Sequence, residues 1–215
     1  MPKMAMLKSE FIPWVRGKRL DTDGVPKKQP YQCTDLIKVA MDKCWDIPDF
    51  TFTLPDKNPR GFAKSLWENF SSYPQLRGKA VRIRNTALFT PKLGDIVVWQ
   101  GDFIDKKGNQ ITGEAGHVAY AEGINTGTVR FKSLDQNWGN KYYTSEVNHK
   151  YDGIYGVIRM LLLCTITDLN VRSGPGTEYP KVDEYPKGTL VQPLEYSGSW
   201  VRVGKNRWVS ANYLE

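Results

Sequence analysis

Apolar positions recur every three to four residues through the first seventy residues, and from about position 80 they follow a period nearer two. Leu7, Phe11, Trp14 and Val15 share one face of a helix predicted over residues 7–18. Leu36, Ile37, Val39, Ala40 and Met41 keep helical spacing between Cys33 and Cys44, which predicts a second helix there. The stretch between these helices, Asp21 to Pro30, is rich in Asp, Gly and Pro and reads as a loop. Residues 46–60 contain three prolines and read as another loop. A short helix over 61–70, carrying Phe62, Leu66, Trp67 and Phe70, is stopped by Ser71-Ser72-Tyr73-Pro74.

The second half has the texture of strands. Val81-Arg82-Ile83-Arg84 alternates, and Ile96-Val97-Val98-Trp99 is a continuous apolar run, expected to be buried on both faces. His117 to Ala121 forms the next strand. Asn125-Thr126-Gly127 then turns the chain into Thr128–Leu134, and Gly153 to Met160 makes the last strand of this part. Helices followed by an antiparallel sheet predict an α+β domain over residues 1–160. Past Met160 the strands are short and separated by turns (Leu169–Arg172, Val182, Leu190-Val191, Trp200–Val203 and Arg207–Val209), which predicts a small β-barrel over 161–215.

Composition and charge narrow the classes. No apolar run reaches about 18 residues, so no membrane-spanning helix is expected. The opening stretch Met1–Lys8 is too short and interrupted to read as a signal peptide. The excess of seven positive charges lies within residues 1–160, where 24 Lys and Arg face 17 Asp and Glu; residues 161–215 hold six of each. A basic first part favours an anionic partner, either nucleic acid or an anionic wall polymer. The basic residues are dispersed and accompanied by no nucleic-acid motif, so no nucleic-acid partner is expected. Three cysteines and two histidines without metal-ligand spacing predict neither a disulfide framework nor a zinc site. Seven Trp and eleven Tyr suit a core, and also flat sites that stack on sugars.

Cys33 stands where a loop meets a helix. A thiol there lies beside the positive end of the helix dipole, which favours the thiolate, the form that attacks carbonyls. A buried small hydrophobe is the alternative, and Cys44, three turns on, is read that way. A thiol nucleophile needs a base, and a third group to orient that base. His149 sits in a polar stretch, Glu146 to Lys150, and is expected to be exposed. His117 opens a strand after Gly113-Glu114-Ala115-Gly116, where a ring can project into a cleft. Asp135-Gln136-Asn137 ends the neighbouring strand and can accept from Nδ1–H of His117, leaving Nε2 toward Cys33. A satisfied strand-end histidine remains the alternative.

Four blocks together carry a resemblance: Gln32-Cys33-Thr34-Asp35-Leu36, Pro91-x-x-Gly94-Asp95-Ile96-Val97-Val98, Gly116-His117-Val118-Ala119 and Leu134-Asp135-Gln136-Asn137-Trp138. In type and order they resemble the signature blocks of CHAP domains, the papain-like cysteine, histidine-dependent amidohydrolases/peptidases common in bacteriophage endolysins. The resemblance implies Cys33 as nucleophile, His117 as base, and Asp135 or Asn137 as the orienting group. It leaves Gln32 as a candidate oxyanion donor, and Trp138 and Trp99 as candidates for substrate contact. Leu169–Gly176 and Trp208–Leu214 resemble a bacterial SH3 domain, the wall-binding module of such enzymes. Its candidate groove aromatics are Tyr179, Tyr185, Tyr196, Trp200, Trp208 and Tyr213.

Some CHAP endolysins hold calcium with an Asp-x-Asp-Gly loop before the cysteine, and Asp21, Asp23 and Asp35 fit that set. Pro26-Lys27-Lys28 lengthens the loop, and an acidic turn is the alternative. An EF-hand is excluded because Gln32 stands where its last ligand would be Glu. The resemblance as a whole implies a monomeric phage endolysin that cuts an amide bond in Gram-positive peptidoglycan. The bond is either that of an N-acetylmuramoyl-L-alanine amidase or that of a stem or cross-bridge endopeptidase. Such an enzyme is made in the host cytoplasm and released to the wall by holins. The rival reading is a wall-binding protein with a degenerate CHAP domain.

Overall fold

The computed structural model describes residues 4–22, 31–125 and 129–215. Three helices, α1 (Lys8–Val15), α2 (Cys33–Trp45) and the short α3 (Ser65–Glu68), precede the strands. Six strands follow: β1 (Ala80–Arg84), β2 (Ile96–Trp99), β3 (His117–Asn125), β4 (Arg130–Asp135), β5 (Ser145–Lys150) and β6 (Ile154–Met160). They form one sheet in the order β1-β6-β2-β3-β4-β5, with every neighbouring pair antiparallel. The turn expected at Asn125-Thr126-Gly127 falls largely on residues 126–128, outside those described. β5 escaped the sequence reading altogether.

Strand alternation sorts the side chains into two cores. Val118 and Tyr120 point from β3 to the face covered by α2, where Leu36, Ile37, Ala40, Met41 and Trp45 are buried. Ala119 and Ala121 point the other way, onto Val97, Trp99, Phe131 and Val157. The central strand β2 is therefore buried on both faces along its whole length, which is why it reads as Ile-Val-Val-Trp rather than as an alternation.

Two residues separate β6 from β7 (Leu163–Cys164), which pairs with β10 (Leu190–Val191). The remaining strands are β8 (Leu169–Arg172), β9 (Lys181–Tyr185), β11 (Glu195–Ser197), β12 (Trp200–Gly204) and β13 (Arg207–Ser210). They make an antiparallel sheet in the order β11-β12-β13-β8-β9 around Leu169, Val171, Val201 and Val209. The N-terminal segment crosses to this second unit. Ala5 N–H donates to the Gly188 carbonyl at 3.0 Å, and Ala5 and Leu7 share an apolar cluster with Cys164 and Leu190.

Candidate active site

Cys33 is the first residue of α2, and the carboxylate of Asp35, two residues on, accepts the Gln32 backbone N–H at 2.8 Å. An acidic group in the first turn satisfies an orphan donor and complements the dipole, so the helix starts at the thiol. The fully buried Gln136 ties this start to the far end of β4. Its Nε2 donates to the carbonyls of Gln32 (2.9 Å) and Leu20 (2.8 Å), and its Oε1 accepts Leu20 N–H at 2.9 Å. Asp135 and Cys33 are thereby locked in relation to each other through one carboxamide.

Gly116 delivers His117. Its φ is +67°, and a Cβ there would lie 2.7 Å from the Trp99 carbonyl oxygen, so only glycine lets the chain enter β3 this close to β2. His117 is 5% exposed and its Nε2 lies 2.7 Å from Oδ1 of Asp135, which is itself 0% exposed. With Nε2 taken by Asp135, Nδ1 is the ring nitrogen left for Cys33, with which the His117 side chain interacts. The ring is thus turned the opposite way from the sequence expectation, because β4 approaches the Nε2 side and the start of α2 the Nδ1 side. Burial alone would lower the proton affinity of His117. The Cys33 thiolate and the bond to Asp135 outweigh burial and push its pKa up to about 10. Burial would likewise raise the Asp135 carboxyl, but the charge of His149 and the bonds from both histidines hold it well below the usual carboxylate range.

His149 is not on the surface. It is 5% exposed on β5, opposite Phe131, with Nε2 3.1 Å from the same Oδ1 of Asp135. Ser133 Oγ donates to the other carboxylate oxygen at 2.7 Å. The polar composition of 145–150 hides a period of two: Glu146, Asn148 and Lys150 are exposed, and Ser145, Val147 and His149 turn inward. That alternation was the available signal. Aromatic rings close the space between the two imidazoles. Trp138 lies 4.8 Å from His117 and 4.5 Å from His149, and Trp99 lies 5.3 and 4.7 Å from them, between ring centroids.

Trp99, expected to contact substrate, is 1% exposed and packs beneath both histidines, away from the cleft. It belongs to the inner face of β2, so it supports the site rather than lining it. Trp138, half-buried, does line the cleft. Asn137, at φ +61°, donates from Nδ2 to Gln32 Oε1 at 3.2 Å and makes no bond to His117. Of the two candidate orienting groups, Asp135 is the one on the ring.

The cleft over these residues has a volume of about 950 Å³. Cys33 and His117 form its floor, residues 51–53 and 60–63 one wall, and residues 110–116 the other. Buried Asn58 sets the first wall, its Nδ2 donating to the carbonyls of Phe52 (2.7 Å) and Phe62 (3.0 Å). Arg60, stacked 4.2 Å over the Phe62 ring, reaches both oxygens of Glu114 across the cleft at 3.0 and 3.1 Å.

The residues proposed for calcium do not make a cation cage among those described. Asp35 is buried, and one of its oxygens accepts Gln32 N–H. The other accepts Thr22 Oγ1 at 2.5 Å and lies 3.3 Å from the Lys38 ammonium. A divalent ion on Asp35 would have to displace that ammonium. Asp21 is exposed, and Asp23 lies outside the described residues. In the second unit, Tyr196 (61% exposed) and the half-buried Trp200 stand on adjacent strands, whereas Tyr179 precedes β9 at the opposite edge of the sheet.

The pattern of the CHAP domain family matches residues 24–137, more than half of the chain and inclusive of Cys33, His117, Asp135 and Asn137. The chain belongs to the CHAP family. Behind the CHAP domain, residues 167–215 match the bacterial SH3 domain. The chain is 32% identical over 146 residues, 65% of its length, to Endolysin PlyTW of Staphylococcus phage Twort, and the match spans 26% of that protein. It is also 32% identical over 53 residues, 23% of its length, to "Putative N-acetylmuramoyl-L-alanine amidase YrvJ" of Bacillus subtilis, of which 10% is covered. The chain therefore spans about a quarter and a tenth of these relatives. Among solved structures it is similar to the wild-type endolysin LysIME-EF1, at 27% identity and a TM-score of 0.49, with 72% of this chain and 64% of that one covered.

Proposed function

We propose that the CHAP domain is a thiol peptidoglycan hydrolase of the phage endolysin kind and that the bacterial SH3 domain holds it on a Gram-positive wall. The observation that carries the reading is the Cys33–His117–Asp135 chain, buried at the floor of a cleft open enough for a peptide strand. The Cys33 thiolate attacks a peptide carbonyl carbon, and its electron pair forms the C–S bond. The oxygen that becomes negative is met by the Cys33 backbone N–H and the Gln32 carboxamide, whose Oε1 end is held by Asn137. His117 gives its Nδ1 proton to the leaving amine as the C–N bond breaks. It then takes a proton from water, which attacks the thioester and releases the acid and the thiolate. Asp135 remains ionised throughout and holds the imidazolium in place.

Both amidases and endopeptidases break an amide bond, so this chemistry serves either; mass spectrometry of the released fragments names the bond. The enzyme works as a monomer on the wall after release from the host cytoplasm. The test is loss of turbidity of purified Gram-positive walls. Wild type clears them, and Cys33→Ala and His117→Ala pellet with them but leave the turbidity within a few per cent of the buffer control. Clearing by Cys33→Ala at the wild-type rate would overturn the assignment. Pelleting without clearing by wild type, on walls that a known lysin clears, would favour a binding protein.

A further inference from the structure

The thiol mechanism needs one carboxylate behind one imidazole, yet this molecule places two imidazoles on the same carboxylate oxygen. Oδ1 of Asp135 lies 2.7 Å from His117 Nε2 and 3.1 Å from His149 Nε2, on strands either side of β4. All three groups are buried. The walls around them are the rings of Trp99, Trp138 and Phe131, which pack against the imidazoles. Among the described residues, the polar partners of the Asp135 carboxylate are the two rings and the Ser133 hydroxyl, which sits on the other oxygen. A carboxylate held by His117 alone on that oxygen could rotate about χ2 and carry the ring with it. A second N–H arriving from β5 on Oδ1 adds to the hold that the Ser133 hydroxyl has on the other oxygen and restricts that rotation further.

We infer that His149 is a positioning residue: its Nε2–H fixes the Asp135 carboxylate from behind, and Asp135 in turn fixes the His117 ring against Cys33. The inference rests on the thiol-hydrolase reading for its activity consequence but not for its geometry. His149 touches neither the cleft nor the thiol, and it acts only through Asp135. The charged and titratable groups facing it are Asp135 from β4 and His117 from β3, with Cys33 of α2 beyond His117.

The chain has only two histidines, so long-range nitrogen–proton NMR resolves both rings and a single substitution assigns them. In the unmodified protein, Nε2 of both rings must carry a proton. An unprotonated Nε2 on His149 would overturn the inference before any variant is made.

Two variants then separate positioning from packing. His149→Phe keeps a ring and loses the donor; His149→Gln keeps an N–H at the place of Nε2. The expected result is a clearing rate about tenfold lower for His149→Phe, the weight of one hydrogen bond to a charged group, with wall pelleting unchanged. The His117 ring signals should shift as well. His149→Gln should recover most of the rate and the signals. Cys33 alkylation by iodoacetamide, with Cys33→Ala as the blank for buried Cys44 and Cys164, reads the same pair without any wall substrate. It should slow in His149→Phe and recover in His149→Gln. Equal loss in both variants would make His149 a packing residue, and no loss in His149→Phe would make it idle; either overturns the inference. Should walls prove not to be the substrate, the ring signals and alkylation rates still decide it.

Discussion

Asp135→Asn removes one negative charge from the middle of the buried network while keeping its shape. Two N–H groups and one hydroxyl converge on that carboxylate, and the side chain is fully buried. The rise of His117 from its ordinary 6.5 to about 10 is shared between Cys33, the larger contributor, and Asp135. Burial opposes that rise, so the bond from Asp135 is weighed as one hydrogen bond between charged groups, about 1.5–3 kcal/mol. The loss of stability is thus about 2 kcal/mol, below the 3–5 kcal/mol typical of a broken buried pair, because His117 can shed its proton. For a chain of this size that lowers the melting temperature by about 4–8 °C. The direction of each shift sets the pH dependence. Asp135 is held below its ordinary value, so its contribution is present above about pH 4 and is lost as the pH falls further. His117 is held above its ordinary value, so its contribution is full below about pH 6.5 and is lost as the pH rises toward 10. The difference between wild type and Asp135→Asn should therefore be largest between about pH 4 and 6.5 and should shrink on both sides. Thermal unfolding of the two proteins from pH 3 to 10 measures it, and wall clearing by the variant should fall at least 100-fold. A difference in melting temperature under 2 °C, or one that does not vary with pH, would refute the reasoning.

Two further outcomes are expected. Clearing activity should survive EDTA without loss, since the Lys38 ammonium already sits at the oxygen of Asp35 that a cation would need; an EDTA-induced loss restored by calcium would show that residues 23–30 complete a site around Asp35. Gly156→Ala should destabilise the sheet by about 3 kcal/mol in urea unfolding, because at φ +152° its Cβ would fall 2.1 Å from the Ile83 carbonyl oxygen and 2.9 Å from the Trp67 ring. A loss under 1 kcal/mol would mean that β1 can move away from β6.

Much of the fold was written in local pattern. Helical spacing placed α2 within one residue of its observed end, and the continuous apolar run placed β2 residue for residue. In both cases the signal is burial, which selects side chains position by position. The predicted helix over 61–70 is instead one short turn of α-helix followed by 3₁₀ turns at Phe70–Ser72 and Pro74–Leu76, since Lys64 N–H is drawn to the Ala115 carbonyl and the chain must stay over the cleft. β5 was missed because an inward-facing histidine and serine look polar, and polarity was taken for exposure.

Residue type and order along the chain were enough to select Cys33, His117 and the Asp135–Asn137 segment, since thiol chemistry demands a base and an orienting group, and few residues here can supply them. Tertiary structure alone decided which way the imidazole faces, that Asp135 and not Asn137 reaches it, and that Trp99 lies beneath the site. It alone placed Gln136 as the clamp between helix and strand, and gave His149 to the same carboxylate. Each of these depends on how strands distant in sequence are paired and twisted. A hydrogen bond between residues 14, 18 or 104 positions apart leaves no periodicity to read, because its energy is realised only once the sheet has brought the partners within 3 Å.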